Sequence, residues 1–249
     1  MAEIIYIISS LLIFPAIIFA AVAQGKVSRA FQKYGSVPAY RGITAAKLAE
    51  RLLAENGCAH VRVERTHGHL TDHYDPRKRV VRLSESVADS TSLAALGIAA
   101  HEVGHAIQHQ TKYAPLIIRR IVIRTSSIVS KTLPLLIIGG LIGSLVAGGL
   151  MMGSMQGTDF FLYIMIAACA VYGLSFLANL ITLPTEYNAS RRAQRLLWDG
   201  NLLYNDDEKQ AVAKVLNAAA LTYVAALLIS LLYFMRFLAL VLMMRGRRR

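Results

Sequence analysis

The sequence predicts a mainly α-helical, polytopic membrane protein with about four spans and a small α+β part. Hydrophobic residues make up 55% of the 249-residue chain, more than is usual for a soluble domain. The excess is concentrated in four blocks, each long enough to cross the roughly 30 Å hydrocarbon core of a bilayer. These blocks are residues 4–23, 132–153, 160–183 and 218–244, of which only the last contains a charge, Arg236.

The basic residues are distributed unevenly, and this asymmetry predicts the orientation of the chain. The net charge is +12, which by itself can indicate a nucleic-acid-binding protein. However, 17 of the 27 Lys and Arg residues lie in 24–131, five more lie in 184–218, and the turn 154–159 has none. This is the pattern of the positive-inside rule. We therefore expect an integral protein of a bacterial plasma membrane, with both basic segments on the cytoplasmic side. The expected partner is the lipid bilayer, and no nucleic-acid partner is expected. The basic tail that starts at Arg245 does not follow this rule if the last apolar block crosses the membrane fully, because the tail would then lie on the outer side.

The first apolar block is interpreted as a permanent anchor, spanning residues 1–24. A cleaved signal peptide would begin with a basic segment, whereas this chain begins Met1-Ala2-Glu3. The apolar run is also longer than the hydrophobic part of a signal peptide.

Residues 25–131 are predicted to form the α+β part. Helical spacing of apolar residues between Thr44 and Gly57 indicates an amphipathic helix, which Thr44 can cap and Gly57 can end. The following segments predict two strands, at 59–65 and 78–83, and a short helix at 84–90. A small sheet of two or three strands is expected.

The remaining elements follow in order. A helix is expected at 91–110, an amphipathic helix at the membrane surface at 116–131, and a transmembrane hairpin at 132–183. Pro184 is predicted to open a further helix, within the segment 184–217, that Gly200 can terminate. The chain ends with a C-terminal transmembrane segment and basic tail, 218–249.

The predicted helix 91–110 contains the metal-binding motif HExxH, from His101 to His105. Positions i and i+4 lie on one face of a helix, so both imidazoles can reach a single zinc ion. Glu102 points beside the metal, where it can take a proton from the water that the zinc activates and pass it to the leaving amine. Small residues precede the motif and allow close helix packing. The alternative is an ordinary helix that carries two surface histidines.

A catalytic zinc site needs a third protein ligand and one open position. His109 lies a further turn along the helix, and Gln108 occupies the position of the glycine in the longer HExxHxxGxxH motif, so His109 is expected to be structural or to support the ligands. Glu186 is the better candidate, although a glutamate in the first turn of a helix is often only a complement to the helix dipole. Two predicted spans separate it from the histidines, so the chain returns to the same side.

Several motifs resemble the YugP-type neutral zinc metallopeptidases of bacteria over nearly the whole chain. They are GHLTDHYDP (68–76), VVRLSESV (80–87), AAHEVGHAIQ (99–108), LPTEYNASRRA (183–193) and LNAAALTYVAA (216–226). The resemblance implies a membrane-bound zincin with one zinc ion and Glu186 as the third ligand. The pattern is also similar to that of the HtpX and CAAX prenyl protease group, whose second motif is ExxxD. Ser190 stands at the Asp position, and Asn188 or Asp72 could take its supporting role.

Four residues are candidates for binding substrate or stabilising an oxyanion: His73, Tyr74, Tyr187 and Tyr223. A substrate peptide could add to the neighbouring strand by backbone hydrogen bonds, with His73 or Tyr74 donating to the oxyanion. The alternative is that this segment is only a well-formed turn before a hairpin. For the other two tyrosines, the alternative is an anchor at the membrane interface.

The function expected from the sequence is zinc-dependent endopeptidase activity on a peptide or membrane-protein substrate. One alternative is a zinc-binding membrane scaffold without peptidase activity, against which the presence of Glu102 argues. Another is a protease specific for lipidated, CAAX-like peptides. An intramembrane protease of the site-2 type fits less well, because residues 91–110 have too few apolar side chains to form a span.

Overall fold

The computed structural model describes residues 1–123, 138 and 157–246, and most of them are helical. The elements in chain order are α1 (Ala2–Gly35), α2 (Ala45–Glu55), β1 (Arg62–Thr66), β2 (His73–Asp75), β3 (Val80–Ser84), α3 (Glu85–Ala88), α4 (Leu93–Gln110), α5 (114–123 of the described residues), α6 (Gly157–Asp199) and α7 (Asp206–Gly246).

The chain divides into two compact units. The first comprises Met1–Ala20, Ile118–Ile181 and Ala225–Arg249, and the second comprises Ala21–Ile117 and Thr182–Val224. The helices α1, α6 and α7 therefore each contribute one part to each unit.

Three helices of the described chain are long and apolar enough to cross a membrane: α1, α6 from Leu162 onward, and α7. They contain the predicted spans at 4–23, 160–183 and 218–244. The fourth predicted span, 132–153, lies outside the described residues except for position 138, as does the second half of the predicted surface helix 116–131. The total of four spans therefore stays a prediction.

Aromatic stacking joins α6 and α7 within the first unit. The ring of Tyr172 lies 5.1 Å from that of Tyr233 and 4.8 Å from that of Phe237. Arg236, the charged residue of the last apolar block, has its guanidinium 5.5 Å from the ring centroid of Tyr6. A cation over an aromatic face is stabilised by the ring quadrupole, so Arg236 has a partner within the apolar segment.

The predicted small sheet is confirmed and has three strands in the order β1-β3-β2. The central strand β3 pairs in parallel with β1 and antiparallel with β2. Its residues Val80, Val81 and Leu83 have no exposed surface, which agrees with a strand covered on both faces. The strand β2 lies at the edge of the sheet.

The two helices α2 and α4 form the centre of the second unit and pack on each other. The predicted cap of α2 is confirmed, since the side chain of Thr44 accepts a hydrogen bond from the Lys47 amide. In the same way Ser92 caps α4 by accepting from the Ala95 amide. From Glu102 to Gln108 every residue of α4 is buried, so all of the HExxH motif except the partly exposed His101 lies in the core.

The prediction that Pro184 opens a new helix is wrong. The helix α6 runs from Gly157 to Asp199 with Pro184 inside it, and ends, as predicted, before Gly200. Proline usually interrupts a helix because it lacks an amide proton, but long apolar helices tolerate it when neighbouring groups satisfy the freed carbonyl. Glu186 therefore lies in the middle of a long helix instead of in a first turn.

Candidate metal centre

The helix α4 brings His101 and His105 together by its own periodicity. Their imidazole rings lie on one face with centroids 4.8 Å apart, one ring edge toward the other. His105 is buried and His101 is partly exposed, so the pair lies at the boundary between the core and an accessible space. The predicted convergence of the two histidines is present.

Gly104 allows α6 to come close to these histidines. A Cβ atom at this position would lie 2.7 Å from the carbonyl oxygen of Ala189, a distance that real Cβ atoms do not reach. Only a glycine lets the backbone of α6 pack directly against α4 here. The close approach places Glu186, one turn before Ala189, beside the histidine rings.

The carboxylate of Glu186 faces both histidines. Its Oε2 atom lies 3.2 Å from His101 Nε2 and 3.4 Å from His105 Nε2, and the residue is 2% exposed. Two zinc bonds of about 2.0–2.1 Å at a tetrahedral angle end about 3.3 Å apart. Glu186 Oε2 therefore lies from each imidazole nitrogen at about the separation of two zinc ligands, and the donor atoms of all three groups lie within 4.8 Å of one another.

The Nδ1 atom of each imidazole, which faces away from Glu186, also has a polar partner. His101 Nδ1 lies 3.1 Å from Ser190 Oγ, and His105 Nδ1 lies 2.9 Å from Gln108 Oε1. Because an amide oxygen only accepts, His105 must donate from Nδ1, and in the neutral ring its Nε2 keeps a free electron pair for a metal. Outer hydrogen bonds of this kind orient metal-binding histidines.

Gln108 connects the two helices that carry the ligand candidates. It is fully buried, and its amide nitrogen donates to the Thr185 carbonyl and to Asn188 Oδ1 on α6. Arg192 donates to the same Asn188 oxygen. From the sequence, Gln108 was identified only as the residue at the glycine position of the longer HExxHxxGxxH motif. The available signal was its spacing, because i+3 from His105 places it beside that ring.

The ionisation of His105 reflects this environment. Burial alone would lower its pKa, but the hydrogen bond and the charge of Glu186 outweigh burial, and the pKa of His105 lies above its ordinary value. A metal ion would replace this proton, since a ligating imidazole must be unprotonated.

A cavity of about 180 Å³ opens next to these groups. Its polar lining consists of His101, Glu102, Glu186, Asp72, Ser190 and Tyr223. Glu102 is 8% exposed, and among the described residues no hydrogen bond engages its carboxylate. Its oxygens are therefore available to a molecule in the cavity.

The other candidate site residues lie in different places. Tyr223 is the one oxyanion candidate among those predicted that lines the cavity, whereas Tyr187 has an exposed side chain and His73 is exposed on the edge strand β2. Tyr74 is hydrogen-bonded through its hydroxyl to His109 Nδ1 at 2.8 Å, which joins β2 to α4.

The residues predicted to support the histidines differ in whether they contact them. Ser190 contacts His101 itself, whereas Asn188 reaches His105 only through Gln108. Asp72 accepts hydrogen bonds from the backbone amide and the hydroxyl of Ser84, the last residue of β3. Within the described chain its hydrogen bonds therefore stabilise the end of this strand and do not involve the histidines.

Comparison with known proteins identifies the family of this chain. The family model described as "Putative neutral zinc metallopeptidase" matches residues 9–242. A relative from Bacillus subtilis (strain 168), "Putative membrane protease YugP", is 44% identical over 221 residues, which cover 88% of this chain and 90% of the relative. No solved structure matches the chain. Since the family model covers nearly the whole sequence and the relative is this similar, the chain belongs to the family of neutral zinc metallopeptidases.

Proposed function

We propose that this protein is a zinc-dependent membrane endopeptidase in which His101, His105 and Glu186 hold one zinc ion. The observation that carries the proposal is the meeting of these three side chains, from two helices, at distances of 3.2 and 3.4 Å. Zinc bound there would polarise the scissile carbonyl and lower the pKa of a water molecule towards about 7.

Glu102 is the proposed general base. It follows His101 directly in α4, lines the same cavity, and lies near enough for its charge to act on His105. Its carboxylate takes a proton from the attacking water and then gives that proton to the leaving amine. Tyr223 lines the same cavity, which supports a proposed role in donating a hydrogen bond to the oxyanion.

The proposed substrates are peptides or membrane proteins, and the proposed location is a bacterial plasma membrane. The apolar helices α1, α6 and α7 support membrane insertion. The basic residues that flank the spans support a cytoplasmic catalytic part, by the positive-inside rule.

The test separates metal binding from turnover. Glu102→Gln should keep the zinc content of the purified full-length protein and lower peptide hydrolysis by about 10²-fold or more, because it removes only the proton acceptor. His105→Ala should lose the metal. Zinc content by elemental analysis and hydrolysis of an unfolded protein substrate are the two measurements. Wild-type turnover by Glu102→Gln would refute the mechanism, and retained zinc without hydrolysis in the wild type would favour the scaffold function.

A further inference from the structure

The cavity beside the candidate metal centre is lined by apolar side chains as well as polar ones. Val27 and Phe31 come from α1, Leu70 from the loop before β2, Ile98 from α4, and Val215 and Leu216 from α7. All of these residues belong to the second unit. In a binding pocket, apolar walls supply affinity, and the few polar groups fix orientation.

We propose that this cavity binds one large apolar side chain of the substrate, on the residue next to the scissile bond. The inference rests on the proposed peptidase function and names the substrate class. Its position follows from the lining, because His101, Glu102 and Glu186 line the same cavity as these apolar side chains. A side chain that fills the cavity must be attached to a residue whose backbone lies at these groups.

The volume of the cavity limits the size of that side chain. The cavity measures about 180 Å³, and an apolar protein cavity of about 150 Å³ holds one benzene molecule. The space therefore suits a single leucine, methionine or phenylalanine side chain. An alanine would leave most of it empty.

The charges that line the cavity exclude acidic side chains. Glu186 is a zinc ligand in the proposed site, which leaves the carboxyl groups of Asp72 and Glu102, and no Lys or Arg is among the lining residues. A carboxylate placed there would lose its hydration and meet charges of its own sign. The expected preference is large apolar over small, and small over acidic.

Two alanines of α7 offer a direct test, because Ala219 and Ala220 both line the cavity. Ala220→Leu should fill it. Cleavage sites in a mixture of peptides, mapped by mass spectrometry for the full-length enzyme, should show a large apolar residue at one flanking position. The preference over alanine should be about 10-fold or more, and Ala220→Leu should remove it while cleavage at small residues continues. Ala213→Leu, on the same helix but outside the cavity, should behave as the wild type.

A binding measurement makes the test independent of turnover. In the Glu102→Gln variant, a leucine-containing peptide should bind about 10-fold or more tightly than its alanine counterpart, and Ala220→Leu in that background should abolish the difference. If Ala220→Leu does not fold, Ala219→Val makes a smaller change in the same wall.

The outcomes distinguish this inference from the proposed function. Glu102-dependent hydrolysis without any apolar preference, or with a preference that the cavity variants leave intact, would overturn the inference and leave the peptidase function standing. Absence of hydrolysis would refute the function, and the peptide affinities would still decide whether the cavity selects apolar side chains.

Discussion

At the scale of single residues, each imidazole has a defined partner on both sides. The Nε2 atoms of His101 and His105 face Glu186, and their Nδ1 atoms face Ser190 and Gln108. The hydroxyl of Ser190 and the buried amide of Gln108 therefore support the histidines, a role for which the sequence analysis considered a carboxylate. Both are uncharged, so the negative charge next to the rings comes from Glu186 and Glu102.

The proposed third zinc ligand, Glu186, can be tested by substitution. Glu186→Gln should weaken zinc binding by more than about 100-fold, beyond the 10–100-fold that loss of an outer partner costs, because it removes the charged donor atom. His109→Ala should leave zinc affinity nearly unchanged, since His109 Nδ1 is bonded to Tyr74. Competition with a zinc chelator measures both variants. The reverse order of affinities would mean that the motif around Glu186 is structural.

At the scale of secondary structure elements, the site depends on how closely α4 and α6 pack. Gly104 touches the backbone of α6 at Ala189, and Gln108 ties the same two helices through Thr185 and Asn188. The two histidines are fixed within α4, whereas Glu186 is fixed only by this packing. A small separation of the helices would take the carboxylate out of reach of the metal.

Gly104→Ala tests this contact. The new methyl group would meet a carbonyl oxygen at 2.7 Å, and because that atom is backbone, the helices must move apart. We expect zinc affinity to fall by about 10-fold or more, with thermal stability lowered as in other overpacked sites.

The matched control is Gly97→Ala on the same helix. Its Cβ would lie 3.2 Å from a methyl group of Val212, a side chain that can shift. The control should retain zinc affinity. Equal loss in both variants would show that α4 tolerates no added methyl group anywhere, and that Gly104 has no special role in the site.

At the scale of the whole molecule, the residues that form the site belong to one compact unit although they are far apart in the chain. His101 and Glu186 are 85 positions apart, yet both lie in the unit of Ala21–Ile117 and Thr182–Val224. The metal centre requires the two segments of this unit to lie on the same side of the bilayer.

Cysteine accessibility in sealed cells tests that requirement. Exposed Ser36 and Asp207 belong to the two segments, and single cysteines there should be labelled from the same side, which we expect to be cytoplasmic. Cys58 and Cys169 must first be replaced. A cysteine in place of Glu3, before the first span, is the control and should be labelled from the opposite side. Opposite accessibility of positions 36 and 207 would exclude Glu186 as a zinc ligand.

Features that depend on local periodicity can be predicted from the amino-acid sequence. HExxH on a helix places two imidazoles on one face whatever surrounds it, and long apolar blocks predict membrane helices by length alone. The cap at Thr44 and the strands β1 and β3 also follow from short-range patterns, whereas the order and pairing of the three strands do not. Pro184 shows the limit of this reasoning, because a local helix-start signal was overridden by a helix that continues through it.

The contacts between groups that are distant in the sequence follow from the packing of the helices. The contacts of Gln108 with Thr185, of Ser190 with His101 and of Gly104 with Ala189 each join α4 to α6, across more than 75 positions of sequence. The apolar cavity likewise needs walls from α1, α4 and α7. No pattern within one helix can fix such contacts, because they depend on the packing distance and rotation between helices, which are set by the side chains of both partners.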